Sequence, residues 1–294
     1  MENKTIVDVI AGGLGGLACV AVNQPLDTVK VKLQTFPNLY KTMRSTFAKT
    51  LREEGVRGFY SGCGPAFMAS ISDNAVVFMA YGYSQKIVQW VTKTDDKSMT
   101  VMHKACSGSL ASVFSSIAIT PPDILKSRLQ AQKALLERAG VTTTKRLSTW
   151  SVAKNIMKDD GPTGFFRGLT GTWAREIPGY FILFASYEFT RKHLTPATVE
   201  NNAIWRTALC GGIAGCCFWT AMFPIDVTRT RIQVRGELSG FWRTFVKIVR
   251  TEGVFSLYRG LTPILIGALP ANAALFTVFE YTKEVMSRPL LATL

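Results

Sequence analysis

The chain has 294 residues, 47% of them hydrophobic, with 34 Lys and Arg against 20 Asp and Glu and a formal net charge of +14. That composition suits one large domain or a compact membrane bundle, and its bases are spread through long segments instead of forming a patch on a soluble fold, which argues against RNA or DNA binding. Six cysteines without Cys-x-x-Cys spacing, two histidines, and the lack of a nucleophile motif or glycine-rich phosphate loop argue against a disulfide framework, a metal site, a cofactor and an enzyme.

The N-terminal stretch "MENKTIVDVIAGG" has no Arg- and Ser-rich presequence, so targeting information is expected inside the chain. The first apolar segment ends in "PLDTVKVKLQ", Pro25 to Gln34. The pattern returns as Pro121-x-Asp123-x-x-Lys126-x-Arg128-x-Gln130 and as Pro224-x-Asp226-x-x-Arg229-x-Arg231-x-Gln233, displaced by 96 and then 103 residues. Recurrence at a near-constant period marks repeated structural units. Each copy leads to an acid-Gly pair and then an aromatic-x-Gly: Glu54-Gly55 to Tyr60-Ser61-Gly62, Asp160-Gly161 to Phe166-Arg167-Gly168, and Glu252-Gly253 to Tyr258-Arg259-Gly260. Upstream of each proline stand small residues four apart (Gly12 and Gly16, Gly108 and Ser112, Gly211 and Gly215), a spacing that lets membrane helices approach closely.

The units therefore run over residues 1–98, 99–200 and 201–294. Each predicts an apolar helix running past its proline, a short amphipathic helix (around residues 39–53 in the first unit) and a second apolar helix after the aromatic-x-Gly. The sum is an all-α membrane protein with six transmembrane helices, each long enough for roughly 30 Å of hydrocarbon. The second unit carries about ten extra residues around "ALLERAGVTTTKR", expected to form a longer loop, while "KTDDKSMT" and "LTPATVENN" link the units. Segments 30–61, 126–167 and 229–259 hold 23 of the 34 bases but 7 of the 20 acids. The positive-inside tendency puts these three segments on one face and both termini on the other.

This threefold P-x-D-x-x-[KR]-x-[KR]-x-Q pattern, which extends over essentially the whole chain, resembles the mitochondrial carrier family. The resemblance implies a monomeric six-helix barrel with threefold pseudosymmetry in the inner mitochondrial membrane. Its long loops and three short helices would face the matrix and its termini the cytosol and intermembrane space, with alternating access to one central site. It also implies cardiolipin at the helix starts after Gly62, Gly168 and Gly260, which suit phosphate.

Pro25, Pro121 and Pro224 are expected to bend three helices inward, since each removes a helical hydrogen bond. The family pattern then pairs the motif charges around a ring that closes the matrix side: Asp27 with Lys126, Asp123 with Arg229, and Asp226 with Lys30. On the cytoplasmic side Gln85, Glu188, Arg191, Glu280 and Lys283 provide a weaker gate, with one full ion pair, Glu188 to Lys283, and a Glu280 to Gln85 contact. The resting protein is accordingly expected to open toward the cytosol.

A threefold scaffold that binds an asymmetric solute must differ between its units at the site. Equivalent positions carry Ala69-Ser70, Arg175-Glu176 and Gly267-Ala268, followed three residues on by Asp73, Gly179 and Ala271. Asp73, Arg175 and Glu176 thus lack symmetry mates, and ionisable residues at membrane depth are functional by default. Adjacent helix positions point apart, so Arg175 and Glu176 are not expected to satisfy each other. Arg175 can hold a carboxylate, while Asp73 and Glu176 can take an amine. Ser70 lies beside them, and Trp219, which stands where the other units have Val20 and Ser116, offers a cation–π face. The set suits a basic amino acid. Within the family, "AREIPGYF", "PANAALF" and "QPLDTVKVKLQTFPNLY" are similar to members that exchange ornithine and related basic amino acids for citrulline or protons. Those members carry arginine where this chain has Gly267 and asparagine where it has Ser70. The alternatives are a carnitine or acylcarnitine carrier and, from another class, a nontransporting membrane scaffold.

Overall fold

The computed structural model describes residues 2–95, 98–138, 148–194, 204–235 and 240–291. All regular structure among them is helical. The first unit supplies α1 (Glu2–Thr35), α2 (Met43–Glu54), the single turn α3 (Val56–Phe59) and α4 (Cys63–Thr92). The second has α5 (Val101–Arg138), α6 (Thr149–Asp159), a 3-10 turn at Pro162–Phe166 and α7 (Leu169–Leu194). The third repeats the order with α8 (Ile204–Arg235), α9 (Phe241–Glu252), a 3-10 turn at Val254–Tyr258 and α10 (Leu261–Leu291).

The six long helices pack in a closed cycle. Contact is most extensive where units meet, α4 on α5, α7 on α8 and α10 back on α1, and continues within units from α1 to α4, α5 to α7 and α8 to α10. Pro25, Pro121 and Pro224 lie inside helices that continue past them, so each motif's acid and bases share one helix with the apolar segment before it.

The short helices begin where side chains cap them. Thr42 accepts from the Ser45 amide and Ser45 reaches back to the Thr42 amide, a reciprocal cap that starts α2 at Met43, four residues later than the apolar pattern suggested. In α9, Phe241, Thr244 and Ile248 are buried at helical spacing while Trp242 is 71% exposed, which gives one inward and one outward stripe.

Each second long helix follows a glycine that must be glycine. Gly62, Gly168 and Gly260 have φ of +78°, +87° and +94°, a left-handed conformation that other residues adopt only with strain. They also press on the next unit: a Cβ at Gly62 would stand 2.8 Å from the Lys126 carbonyl oxygen, one at Gly168 3.0 Å from the Gln233 side chain, and one at Gly260 3.2 Å from the Lys30 carbonyl oxygen.

Three expectations change. The glycines upstream of the prolines are not all contact points: a Cβ at Gly12, Gly211 or Gly215 would meet open space, whereas one at Gly108 would stand 3.2 Å from Phe184. In α1 a close approach lies at Gly15, where a Cβ would be 2.8 Å from the Leu275 carbonyl oxygen. The extra residues of the second unit are partly helix, since Ala134 to Arg138 are good helix formers and extend α5; the remainder, with the linker near residue 197, lies outside the described residues. Finally, among the described residues two stretches, Leu209–Val234 and Val254–Met286, are long and apolar enough to cross a membrane by composition alone, not six. Buried serines in α5 (Ser107, Ser112, Ser115, Ser116) and the Arg175-Glu176 pair in α7 place polar groups on helices that share a polar interior, which lowers their mean hydropathy.

Candidate gate and substrate site

At the C-terminal ends of α1, α5 and α8 the motif charges meet around the cycle. Lys126 Nζ lies 2.7 Å from Asp27 Oδ2, Lys30 Nζ lies 2.8 Å from Asp226 Oδ2, and Arg229 Nη2 pairs with Asp123. Each pair joins two units, as the ring pattern required. Lys30, Asp226 and Arg229 are buried and Asp27, Asp123 and Lys126 half-buried, and charges so placed are stable only when paired and hydrogen-bonded, so further donors and acceptors complete them. Asn23 donates to Asp27 at 3.1 Å, Gln34 to Asp226 at 3.1 Å, and Arg229 Nε to the Thr172 hydroxyl at 2.8 Å.

A second ionic layer, which the motif spacing contained but sequence reasoning did not pair, lies just beyond. The next motif base in each unit binds the acid of the acid-Gly step: Lys32 with Glu54, Arg128 with Asp160 at 3.4 Å, and Arg231 with Glu252 through two bonds of 2.5 and 2.8 Å. These pairs fasten each short helix to the long helix that precedes it. Arginine does more here than lysine, because its fork leaves an Nε free for the next unit. Arg231 Nε reaches the Gln34 carbonyl at 2.7 Å and Arg128 Nε the Gln233 carbonyl at 3.2 Å.

The symmetry-breaking residues sit on the other side of the ring. Arg175 and Glu176 pair after all: Nε lies 3.0 Å from Oε1, and Nη2 donates to the same oxygen. Adjacent Cβ atoms do diverge, but a guanidinium is long enough to fold back onto its neighbour. Arg175 Nη1 also binds Asp226 Oδ1 at 2.8 Å. Asp73, half-buried on α4, interacts with the Ser115 hydroxyl and lies within electrostatic range of Glu176, Asp123 and Arg175, yet makes no ion pair among the described residues. Ser70, one turn before it, is half-buried.

Trp219 is placed differently from the expectation of a surface for solute. Its ring carries the Lys30 ammonium 4.5 Å from the centroid and packs against the buried cluster of Phe223, Val227 and Ile264. At Gly267 a Cβ would collide with the Asn23 amide and stand 3.0 Å from Leu26, so α1 side chains fill this position. At the far end of the long helices neither the Glu188 to Lys283 pair nor the Glu280 to Gln85 contact is made among the described residues. Arg191 is exposed there. Helices α7 and α10 are not packed neighbours in the cycle, which keeps their charges apart.

A closed cycle of repeated helix pairs around a ring of ion pairs, with charged residues left inside it, defines a membrane carrier. A family model described as mitochondrial carrier protein matches residues 2–91, 97–198 and 200–290, one match per repeat, and the chain belongs to that family. It is a carrier and not an enzyme. The chain is 41% identical over 292 residues to mitochondrial ornithine transporter 1 of Mus musculus, covering 98% of this chain and 97% of that protein. The Rattus norvegicus protein of the same name is 40% identical over the same shares. Identity to the mitochondrial carnitine/acylcarnitine carrier protein of Mus musculus is 32%, over 95% of this chain and 94% of that one.

Proposed function

We propose that the protein is an inner-membrane antiporter of ornithine and related basic amino acids, which it exchanges for citrulline, other basic amino acids or protons by alternating access. The single observation that carries this reading is the charge balance of the interior. Lys30, Lys126, Arg229 and Arg175 are paired in turn with Asp226, Asp27, Asp123 and Glu176, and among the described residues of this interior Asp73 is the carboxylate left over. An interior with one acid in excess suits a solute of one net positive charge. A basic amino acid fits, with its carboxylate on Arg175 and its side-chain ammonium between Asp73 and Glu176. Ser70 lines the same helix face, and Trp219 acts through Lys30. The greater identity to ornithine transporters than to the carnitine carrier favours the same substrate class.

In this reading the three units, 1–98, 99–200 and 201–294, form a six-span barrel. The long helices have 26 to 38 residues, or about 39 to 57 Å of rise, enough for a bilayer with polar ends to spare. The ring of Asp27, Lys30, Asp123, Lys126, Asp226 and Arg229 is the matrix gate. Gln85, Glu188, Arg191, Glu280 and Lys283 form the cytoplasmic gate, and both termini face the cytosol. Cardiolipin seats on the helix starts after Gly62, Gly168 and Gly260 of a monomer.

Uptake of labelled ornithine into liposomes holding the purified protein, preloaded in parallel with ornithine, arginine, citrulline, carnitine or buffer, tests the reading. Uptake driven by internal basic amino acids is the expected result. Exchange with carnitine alone would replace ornithine by that solute, and no exchange with any of them would favour a scaffold.

A further inference from the structure

Arg175 belongs to two networks at once. Through Nε and Nη2 it binds Glu176, and through Nη1, 2.8 Å from Oδ1, it binds Asp226. Asp226 is the hub of the closed ring. Only 1% of its side chain is exposed, Oδ2 receives Lys30 at 2.8 Å and Gln34 at 3.1 Å, and Arg229 Nη1 stands 3.8 Å from Oδ1. Among the described residues the other ring acids carry no such addition: Asp27 is met by Lys126 and Asn23, and Asp123 by Arg229. Threefold symmetry therefore breaks at one gate acid, and it breaks through the residue best placed to receive a substrate carboxylate.

We propose that Arg175 is the latch between the substrate site and the gate: bonded to Asp226 it holds the ring shut in the empty protein, and a substrate carboxylate opens the ring by taking Nη1 from Asp226. This inference rests on the amino-acid reading above and adds how the site governs the gate. The exchange conserves charge, since one carboxylate replaces another on the guanidinium while Asp226 keeps Lys30 and Gln34. Opening the empty ring loses the Arg175 to Asp226 bond outright, whereas opening the loaded ring trades it. Substrate thus interacts more favourably with the opening state, the differential that a shift of conformation requires. A solute without a carboxylate can occupy the cavity but makes no such trade, so it binds without shifting the equilibrium.

The probe is 1,4-diaminobutane, which is ornithine without its carboxylate, used beside ornithine with the full chain in liposomes. In the unaltered protein it is expected to compete with ornithine but to be taken up only slowly. Arg175→Gln, which has no latch, is expected to take up 1,4-diaminobutane about tenfold faster than the unaltered protein, within the usual range of coupling between sites. Equal uptake by the two proteins overturns the latch. A variant that moves no solute at all is judged by thermal unfolding of the substrate-free protein in detergent. Shifts from Arg175→Gln and Asp226→Asn should fall short of additive in combination, while those from Arg175→Gln and Asp27→Asn should add. Additive shifts in both combinations overturn the latch. If the unaltered protein takes up no ornithine, the substrate reading fails, and the unfolding cycle still decides the latch because it uses no substrate.

Discussion

Lys30 Nζ lies 2.8 Å from Asp226 and 4.5 Å from the centre of the Trp219 ring, so one gate ammonium is held by a carboxylate and an aromatic face together. A desolvated cation–π contact is worth about 0.5–2 kcal/mol. Trp219→Leu is therefore expected to lower the unfolding temperature of the empty protein in detergent, with Trp219→Phe falling between it and the unaltered protein. If all three unfold together, the ring contributes nothing to the gate.

The Asp27 to Lys126 pair crosses from the first unit to the second, with Nζ 2.7 Å from Oδ2. Reversing one charge should abolish exchange, because two like charges then meet in a half-buried ring. Asp27→Lys combined with Lys126→Asp is expected to recover part of the lost uptake. Recovery from Lys30→Asp instead would place Asp27 in a different pair, and the ring order would be wrong.

Much of this architecture could be read from repetition. Three motifs with the same internal offsets fixed the order of long and short helices, and the mismatched positions at Asp73, Arg175 and Glu176 pointed to the interior site. What sequence did not disclose depended on side-chain reach. Nothing in the spacing of Arg175 and Asp226, or of Lys32 and Glu54, says that these groups touch, because they meet only once the helices are set at their final distance. Glycine was legible where backbone conformation demanded it, at Gly62, Gly168 and Gly260, and misleading where only small size was at issue, at Gly12 and Gly211.

That contrast can be measured. At Gly12 a new methyl group meets open space, so Gly12→Ala should change stability by no more than about 0.5 kcal/mol. Gly62→Ala forces a non-glycine residue to φ +78° and brings its Cβ to 2.8 Å from the Lys126 carbonyl oxygen. The backbone cost alone is roughly 1–2 kcal/mol. A clear fall in unfolding temperature for Gly62→Ala, with none for Gly12→Ala, is the expected outcome; equal falls would mean that helix packing in α1 is tighter at Gly12 than the structure has it.

The second ionic layer predicts a non-additive result. The Lys32 side chain is fully buried, paired with Glu54 and bonded to the Thr50 hydroxyl at 3.0 Å, so Glu54→Gln leaves an ammonium in the interior without its counter-charge. Breaking a buried pair from one side costs on the order of 3–5 kcal/mol, while replacing both partners by neutral groups of similar volume often costs little. Glu54→Gln alone should therefore lower the unfolding temperature more than Lys32→Met combined with Glu54→Gln. The same order should hold for Glu252→Gln against Arg231→Met with Glu252→Gln, with a smaller single effect, because Arg231 keeps its bond to the Gln34 carbonyl. A double variant that falls by the sum of its singles would mean that the layer is an accidental surface contact and that the short helices are held by their apolar stripes alone.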